Sequence, residues 1–404
     1  MLLNAPCIPL LSALHTPRAC KSGTAKMKQL LDIINQYQQQ NQFSGQIIVA
    51  RKKNIVYSYT AGYADFANKQ QFSEQTIFPI ASISKQFMAT VILKLIESRQ
   101  IDIEDPISAH LKVDHKIWSG NMPLWANNIT IHQLLANCSG LVNYVMEAIF
   151  HPDAWQEMDN ANGQDITRLI VEKINFMPLL FVPGSQFAYS NTNYLLLGEI
   201  AQEVIKSQSL PTWVQNNIFN PLEMTKTIWP DLEQELAYIR NIYAQTNLPK
   251  RYTTNYHDVT SEPELVVSHG FNVPCGGAGS MFSTAKDLLT WNNALYSGKI
   301  ISSILLQQMT TVHQHIDNDP CLGKVSYGYG IMIDKIEGQT IYRHSGHFNG
   351  IRTQLSYDPN NEISVVLLTN FSPSYAQDFS FVSMQDKEQV DLVSQLHLAI
   401  LNHY

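Results

Sequence analysis

The sequence has few cysteines, little charge and no long apolar run, and each shortage excludes something. The five cysteines are scattered, odd in number and without a CxxC pair, so they indicate neither a disulfide framework nor a zinc site. Charged residues make up 15% of the 404 residues, and the net charge of −7 comes with no basic cluster, which argues against nucleic acid as a partner. No stretch of 18 apolar residues occurs, so the sequence predicts no transmembrane segment.

The first residues of the chain allow more than one interpretation. A mostly apolar stretch at 2–14 is followed by small residues at 22–25, as in a signal peptide. However, no basic residues precede the stretch, and Pro6 and Pro9 interrupt it. A signal peptide, a disordered leader and a start at Met27 all stay open, and so do a periplasmic or secreted and a cytoplasmic location. We expect residues 1–25 to be a leader and residues 26–404 to form one unit.

Strand patterns lie at both ends of the chain and helical patterns lie between them. Residues rich in aromatic and β-branched side chains predict strands at 44–50, 55–63, 327–333, 339–344, 351–357 and 363–368. Helices are predicted at 26–40, through much of 100–270, and at 386–402. The expected fold is therefore α/β of the α+β type, an antiparallel sheet flanked by helices with an inserted, mostly helical domain. The sheet part would comprise about 26–80 and 275–404, and the helical part about 81–274.

A serine–lysine motif, Ser82-Ile83-Ser84-Lys85, stands at the start of a helical pattern. Residues 76–81 read as an extended apolar segment, whereas apolar residues recur at helical spacing from 87 to 96 without Gly or Pro. A serine and a lysine three residues apart on the first helical turn face the same side. The amine can then take the hydroxyl proton, and the helix N-terminus favours the negative charge that develops. The pattern predicts that Ser82 is a nucleophile activated by Lys85.

The same spacing occurs a second time, at Ser283-Thr284-Ala285-Lys286, so the motif alone is weak. Here Asp287 follows at the start of a helical pattern over 285–296. Ser283 or Thr284 is then more simply a helix N-cap, with Asp287 favouring the positive end of the helix dipole. The context therefore favours Ser82 as the nucleophile.

Two further segments offer partners for an activated serine. Tyr189-Ser190-Asn191 supplies a phenol, and a phenol close to an ammonium can serve as acid or base. The second segment, His344-Ser345-Gly346-His347, lies on a predicted strand, and its glycine would let backbone approach a substrate.

Seven sequence blocks occur in an order that carries a family resemblance. They are 76–85, 101–106, 134–141, 183–191, 221–224, 276–281 and 327–330. In this order the chain, from about Phe43 to Asn370, resembles the serine β-lactamase-like hydrolases related to class C β-lactamases and D-Ala-D-Ala carboxypeptidases. The resemblance implies an acyl-enzyme mechanism on a small-molecule substrate, with no cofactor and no metal.

The resemblance also implies a role for each matching position. Ser82 would be acylated, Lys85 would accept its proton, and Tyr189 would relay the proton to the leaving group. Substrate contacts would come from Asn191, His344, Ser345 and Gly346. The oxyanion hole would be formed by the backbone N–H groups of Ser82 and His347.

The chain departs from the lactamase pattern at His344, where those enzymes carry the lysine of a Lys-Thr-Gly triplet. Histidine is mostly neutral at pH 7, so the departure weakens recognition of a substrate carboxylate. Arg343 and Arg352 could restore positive charge, but alternation turns Arg343 away from His344, and both are expected on a solvated strand face.

We therefore expect a serine hydrolase acting on small amides, D-amino-acid peptides or esters. A penicillin-binding receptor or a non-catalytic scaffold with the same fold is the alternative. Pairs of histidines at 313 and 315, or 344 and 347, lack the accompanying carboxylate or cysteine that a metal site needs. The sequence leaves the oligomeric state open.

Overall fold

The computed structural model describes residues 43–151, 163–230, 276–319, 323–336, 338–348 and 350–370. The expected leader at 1–25 and the helices predicted at 26–40 and 386–402 lie outside these residues. Within the described ranges, no helix is both long and apolar enough to cross a membrane.

An eight-stranded antiparallel sheet is the centre of the fold, with strand order β2-β1-β12-β11-β10-β9-β8-β7. Two short two-stranded sheets pair β3 with β4 and β5 with β6. The strands are β1 (Gly45–Arg51), β2 (Asn54–Ala61), β3 (Tyr63–Asp65), β4 (Gln70–Gln71), β5 (Phe78–Pro79), β6 (Phe282–Ser283), β7 (Gln314–Asp319), β8 (Gly323–Tyr327), β9 (Met332–Ile336), β10 (Gln339–Phe348), β11 (Ile351–Asp358) and β12 (Ile363–Thr369). The prediction of an antiparallel sheet drawn from both ends of the chain is confirmed, because β1 pairs with β12.

The strand predicted at 327–333 is correct only at its ends, since Tyr327 ends β8 and Met332 begins β9, while residues 328–331 form the turn between them. Gly328 donates its N–H to the carbonyl of Ile331, and Gly330 has φ +67, which favours glycine. A Cβ at Gly330 would lie 2.6 Å from the carbonyl oxygen of Lys85. The turn therefore brings backbone against the helix that carries Lys85.

The helices lie mainly between the two parts of the sheet, as predicted. They are α1 (Ser84–Glu97), α2 (Ile107–His110), α3 (Ile131–Leu135), α4 (Tyr144–Phe150), α5 (Gly163–Asn175), α6 (Asn191–Ile205), α7 (Leu210–Val214), α8 (Ala285–Tyr296) and α9 (Ser303–Met309). The boundaries of α8 match the helical pattern at 285–296. The division of the chain into a sheet part and a helical part remains a prediction.

Helix α1 is buried on all sides from Ser84 to Leu93 rather than on one face. The Phe87 ring stacks on Trp291 with centroids 3.8 Å apart, which joins α1 to α8. Gln86 Oε1 accepts from the Trp291 indole, and the Thr90 hydroxyl donates to the Gln86 carbonyl. A helix enclosed in this way holds its first turn in a fixed position.

Candidate active site

The segment before α1 fixes Ser82 in place. The N–H of Ile80 donates to the carbonyl of Met281 at 2.9 Å, next to the pairing of β5 with β6. Ala81 has φ +48, an uncommon conformation for alanine, and a 3₁₀ turn over Ala81–Ile83 leads into α1. Ala81 and Ile83 are buried while Ser82 is only half-buried, so the turn presents Ser82 outward. Strained backbone of this kind often occurs at active sites.

Lys85 is fully buried, and its Nζ atom lies close to three oxygen atoms. Nζ is 2.7 Å from Asn191 Oδ1, 2.7 Å from the Ala278 carbonyl oxygen and 3.1 Å from Ser82 Oγ. A neutral amine has two N–H donors and one lone pair. The two shorter contacts can use both donors, which leaves the lone pair directed to the Ser82 hydroxyl.

Asn191, at the start of α6, is oriented by Asn143, which the sequence did not indicate as a site residue. Asn143 Oδ1 accepts from the Asn191 side-chain amide at 3.1 Å and from the Asn191 backbone N–H at 3.3 Å. The Asn191 amide group is therefore held with its oxygen toward Lys85. Asn143 also caps α4 by accepting from the Val145 N–H at 3.3 Å, and a capping asparagine in a sequence does not indicate which distant residue it contacts.

Tyr189 contacts Lys85 through its ring. Lys85 Nζ lies 4.9 Å from the Tyr189 ring centroid, and 5.5 Å from that of Tyr194. The Tyr189 ring also lies 6.2 Å from the His344 ring and 6.4 Å from the Tyr327 ring. The predicted proton relay thus stands between the lysine and the histidine.

His344 is completely buried and held at both ring nitrogens. Nδ1 lies 2.7 Å from the Ser345 carbonyl oxygen, which can only accept, so Nδ1 carries the proton and donates. Nε2 then accepts from the Tyr327 hydroxyl at 3.2 Å. Burial, followed by the charges of Lys85 and Arg343, lowers the pKa of His344 to about 3. The imidazole is therefore neutral at pH 7.

Gly346 lies against the backbone that leads to Ser82. A Cβ at this position would stand 2.3 Å from the Ile80 carbonyl oxygen and 3.0 Å from Ala81 Cβ, so no larger residue fits. β10 pairs with β9 only as far as Arg343, whereas its pairing with β11 continues to Phe348. The edge of β10 beyond Arg343 is thus not covered by β9. Alternation places the Ser345 and His347 side chains on the face opposite His344, and their backbone groups lie along this edge.

The second serine–lysine motif has no such environment. Ser283 is completely buried, and its hydroxyl lies 2.8 Å from that of Thr227. Thr284 caps α8 by accepting from the Asp287 N–H at 3.2 Å, and Lys286 is exposed. The interpretation of this copy as a helix N-cap is confirmed.

The prediction of a solvated strand face for two arginines is wrong. Arg343 and Arg352 are each only 5% exposed. Arg343 forms a buried ion pair with Asp334 on the neighbouring strand β9, which compensates the cost of removing both charges from water. Sequence alternation gave the correct face for Arg343 but could not show that this face is covered.

Among the residues that the structure describes, no group of three or more His, Cys, Asp or Glu side chains is placed to hold a metal ion. His313 and His315 contact different residues. The His313 ring stacks on Tyr329 with centroids 4.0 Å apart, and His315 contacts the Ser326 hydroxyl.

Comparisons with known proteins agree with the geometry. A family model described as Beta-lactamase matches residues 30–380. Penicillin-binding protein 4* of Bacillus subtilis (strain 168) is 26% identical over 356 residues, which are 85% of this chain and 72% of that protein. Protein flp of Staphylococcus aureus (strain N315) is 25% identical over 88% of this chain, which spans 63% of that protein, less than two thirds.

A solved structure shares the fold. D-amino acid amidase from Ochrobactrum anthropi SV3, complexed with L-phenylalanine, aligns over 94% of this chain and 98% of its own with a TM-score of 0.71 and 20% identity. The predicted fold, an antiparallel sheet flanked by helices, is confirmed by this likeness and by the sheet itself.

Proposed function

The chain belongs to the beta-lactamase family, and on that basis we propose that it is a serine hydrolase that acts through an acyl-enzyme at Ser82. Its substrates are small amides, D-amino-acid peptides or esters. The observation that carries the proposal is the contact of Lys85 Nζ with Ser82 Oγ at 3.1 Å, with Asn191 and Ala278 holding the lysine in place.

The reaction begins when the Ser82 hydroxyl donates its proton to the Lys85 amine and attacks the substrate carbonyl carbon. The backbone N–H groups of Ser82 and His347 stabilise the oxyanion, and Tyr189 carries the proton on to the leaving group. Departure of the amine or alcohol leaves an ester on Ser82. Water then attacks this ester, Ser82 recovers its proton, and the acid product is released.

The state of His344 favours uncharged substrates. The imidazole is neutral because burial lowers its pKa, so it offers no fixed cation to a substrate carboxylate. Its Nδ1 proton is already used by the Ser345 carbonyl. We therefore propose that neutral esters and amides are hydrolysed faster than β-lactams, whose carboxylate needs a cation.

The test compares kcat/KM for p-nitrophenyl acetate, N-acetyl-D-alanine p-nitroanilide and a chromogenic cephalosporin, of which the first two are uncharged. We expect kcat/KM for the ester or the amide to exceed kcat/KM for the cephalosporin. Ser82→Ala should abolish all measurable turnover. His344→Lys should raise the cephalosporin relative to the ester by roughly several-fold, since a charge contact is worth about 0.2–1 kcal/mol when exposed and more when buried. Faster hydrolysis of the cephalosporin by the unsubstituted protein would contradict the assignment of His344.

A second candidate function is that of a penicillin-binding receptor, which forms an acyl-enzyme and releases it slowly. It is favoured by the likeness to penicillin-binding protein 4* of Bacillus subtilis (strain 168). A burst of product equal to the enzyme concentration, followed by a negligible steady rate with every substrate, would favour the receptor. Sustained turnover of the ester or amide favours the hydrolase.

A further inference from the structure

A cavity of about 620 Å³ lies beside α6, separate from the residues around Ser82. Its walls come from α5, α6, the 3₁₀ turn Lys116–Trp118 and the segments next to Pro230 and Gly276. None of the eight predicted site residues contributes to it. A volume of this size is typical of pockets that enclose a small organic molecule.

Glu199 on α6 brings a carboxyl group to this cavity. Within the described ranges this carboxyl group has neither an ion pair nor a hydrogen bond. Burial raises its pKa, and the charge of Lys116 acts in the opposite direction. Glu199 is half-buried, and a carboxylate partly removed from water without a partner is costly, so a bound group with a positive charge would stabilise it.

Lys116 also faces the cavity, and its ammonium group has no ion pair with any residue that the structure describes. The other two cations at the cavity are engaged. Arg168 pairs with Glu172 at 3.1 Å, and Lys206 pairs with Glu203 at 2.7 Å. The cavity thus has one carboxyl group and one ammonium group without an ion pair among the described residues, and the two do not lie within ion-pair distance of each other.

The rest of the lining suits an apolar body with polar ends. Trp229, Ile117 and Leu210 supply apolar surface. Thr167 is 3% exposed, and its hydroxyl has no hydrogen-bond partner among the described residues. A buried hydroxyl without a partner is uncommon in a folded protein and is consistent with a polar ligand at this position.

We infer that this cavity binds a small zwitterionic molecule of the amino-acid or short-peptide type. Its ammonium group pairs with Glu199, its carboxylate pairs with Lys116, and its apolar side chain contacts Trp229. This is a binding site additional to the acyl-enzyme site and does not depend on which substrate Ser82 attacks.

One wall of the cavity adjoins the backbone group that accepts a hydrogen bond from Lys85. Gly276 and Gly277 line the cavity, and the next residue, Ala278, accepts the hydrogen bond from Lys85 Nζ. A Cβ at Gly277 would lie 2.3 Å from Met88 Cγ, so this turn is tightly packed on α1. A ligand in the cavity therefore contacts the turn that holds the catalytic lysine.

The test measures binding by calorimetry to the full chain carrying Ser82→Ala, which cannot form an acyl-enzyme. Three probes of matched shape are compared, namely leucine, 3-methylbutylamine and 4-methylpentanoate, which carry both charges, the positive charge alone and the negative charge alone. We expect saturable binding of leucine at least about tenfold tighter than either single-charge probe, as for a hydrogen bond to a charged group.

Substitutions locate the site. Glu199→Gln should weaken the binding of leucine and of 3-methylbutylamine at least about tenfold and leave the binding of 4-methylpentanoate unchanged. Lys116→Met should weaken the binding of 4-methylpentanoate and leave that of 3-methylbutylamine unchanged. Glu223→Gln, at an exposed position that does not line the cavity, is the control and should change the affinity for none of the three probes. If Glu199→Gln fails to fold, Lys116→Met still tests the site, because Lys116 is exposed and its substitution should leave folding intact. Absence of saturable leucine binding, or binding that neither substitution weakens, overturns the proposal.

Discussion

Lys85 Nζ lies 3.1 Å from Ser82 Oγ but only 2.7 Å from both Asn191 Oδ1 and the Ala278 carbonyl oxygen. Its two shortest contacts are therefore with groups that hold the lysine in place. The acceptors are an amide oxygen and a backbone carbonyl oxygen, and together they can take both N–H donors of a neutral amine. The lone pair then has one remaining direction, toward the serine hydroxyl. From this arrangement we expect the amine to take the proton of Ser82.

The first prediction concerns the replacement of Lys85 by another cation. Lys85→Arg should lower kcat by two or more orders of magnitude, on the order of the loss of a general base, because a guanidinium has no lone pair for the Ser82 proton. Lys94→Arg is the matched control on the same helix, where the lysine only donates to the Ile300 carbonyl. Activity of Lys85→Arg close to that of the control would mean that Lys85 acts as a charge and not as a base.

Asn143 is predicted to be a positioning residue. Asn143→Ala leaves the Asn191 amide without its acceptor, so the Asn191 oxygen loses its fixed direction toward Lys85. We expect kcat to fall about tenfold or more with little change in KM, in line with the loss of a buried hydrogen bond.

Rescue distinguishes positioning from general destabilisation. Asn143→Asp keeps the accepting oxygen and should recover more activity than Asn143→Ala at an equal melting temperature. If both variants lose activity in proportion to their loss of stability, Asn143 is only structural.

His344 makes stability depend on pH. Its pKa is about 3 in the folded protein against a usual value of 6.5, so the unfolded chain takes up a proton that the folded protein does not. This group contributes stability that is present above pH 6.5 and is lost as the pH falls from 6.5 toward 3, with a slope of up to about 1.4 kcal/mol per pH unit.

The measurement is the free energy of unfolding in denaturant between pH 7 and pH 4.5 for the unsubstituted protein and for His344→Gln. The difference between the two curves should shrink as the pH falls, since glutamine stays neutral in both states. Parallel curves would show that the pKa of His344 is the same in the folded protein as in the unfolded chain.

Gly346→Ala is predicted to damage the site more than the fold. The new Cβ would meet the Ile80 carbonyl oxygen at 2.3 Å, and the segment that leads to Ser82 must move to make room. Overpacking of this kind costs about 1–3 kcal/mol. We expect kcat to fall by about 10²-fold or more, because small displacements of catalytic groups are costly. Gly338→Ala places alanine at a φ of +83, which strains the backbone, but its Cβ meets no atom within 4 Å, so this control should retain activity.

Most strands and helices of the fold could be predicted because their sequence signals are local or periodic. Alternation and β-branched composition located β1, β11 and β12 to within one residue of their observed ends, and a clear cap and stripe located α8. The error at 327–333 arose because two glycines inside an apolar, aromatic run mark a turn that periodicity does not register.

The site divides in the same way. Ser82 and Lys85 lie three residues apart at the start of a helix that follows an extended segment, so their contact could be predicted from spacing and local context together. The contacts of Lys85 with Asn191 and Ala278 join residues 106 and 193 positions apart, and no local pattern encodes such pairs. The burial of Arg343 likewise depends on what covers the sheet, which alternation along one strand does not reveal.

The most direct test of the account is the site of covalent labelling. The protein is treated with a fluorophosphonate probe, digested, and mapped by mass spectrometry alongside Ser82→Ala and Ser283→Ala. The account predicts one adduct on Ser82, lost completely in Ser82→Ala and retained in Ser283→Ala. An adduct that persists in Ser82→Ala, or that maps to Ser283, would contradict it.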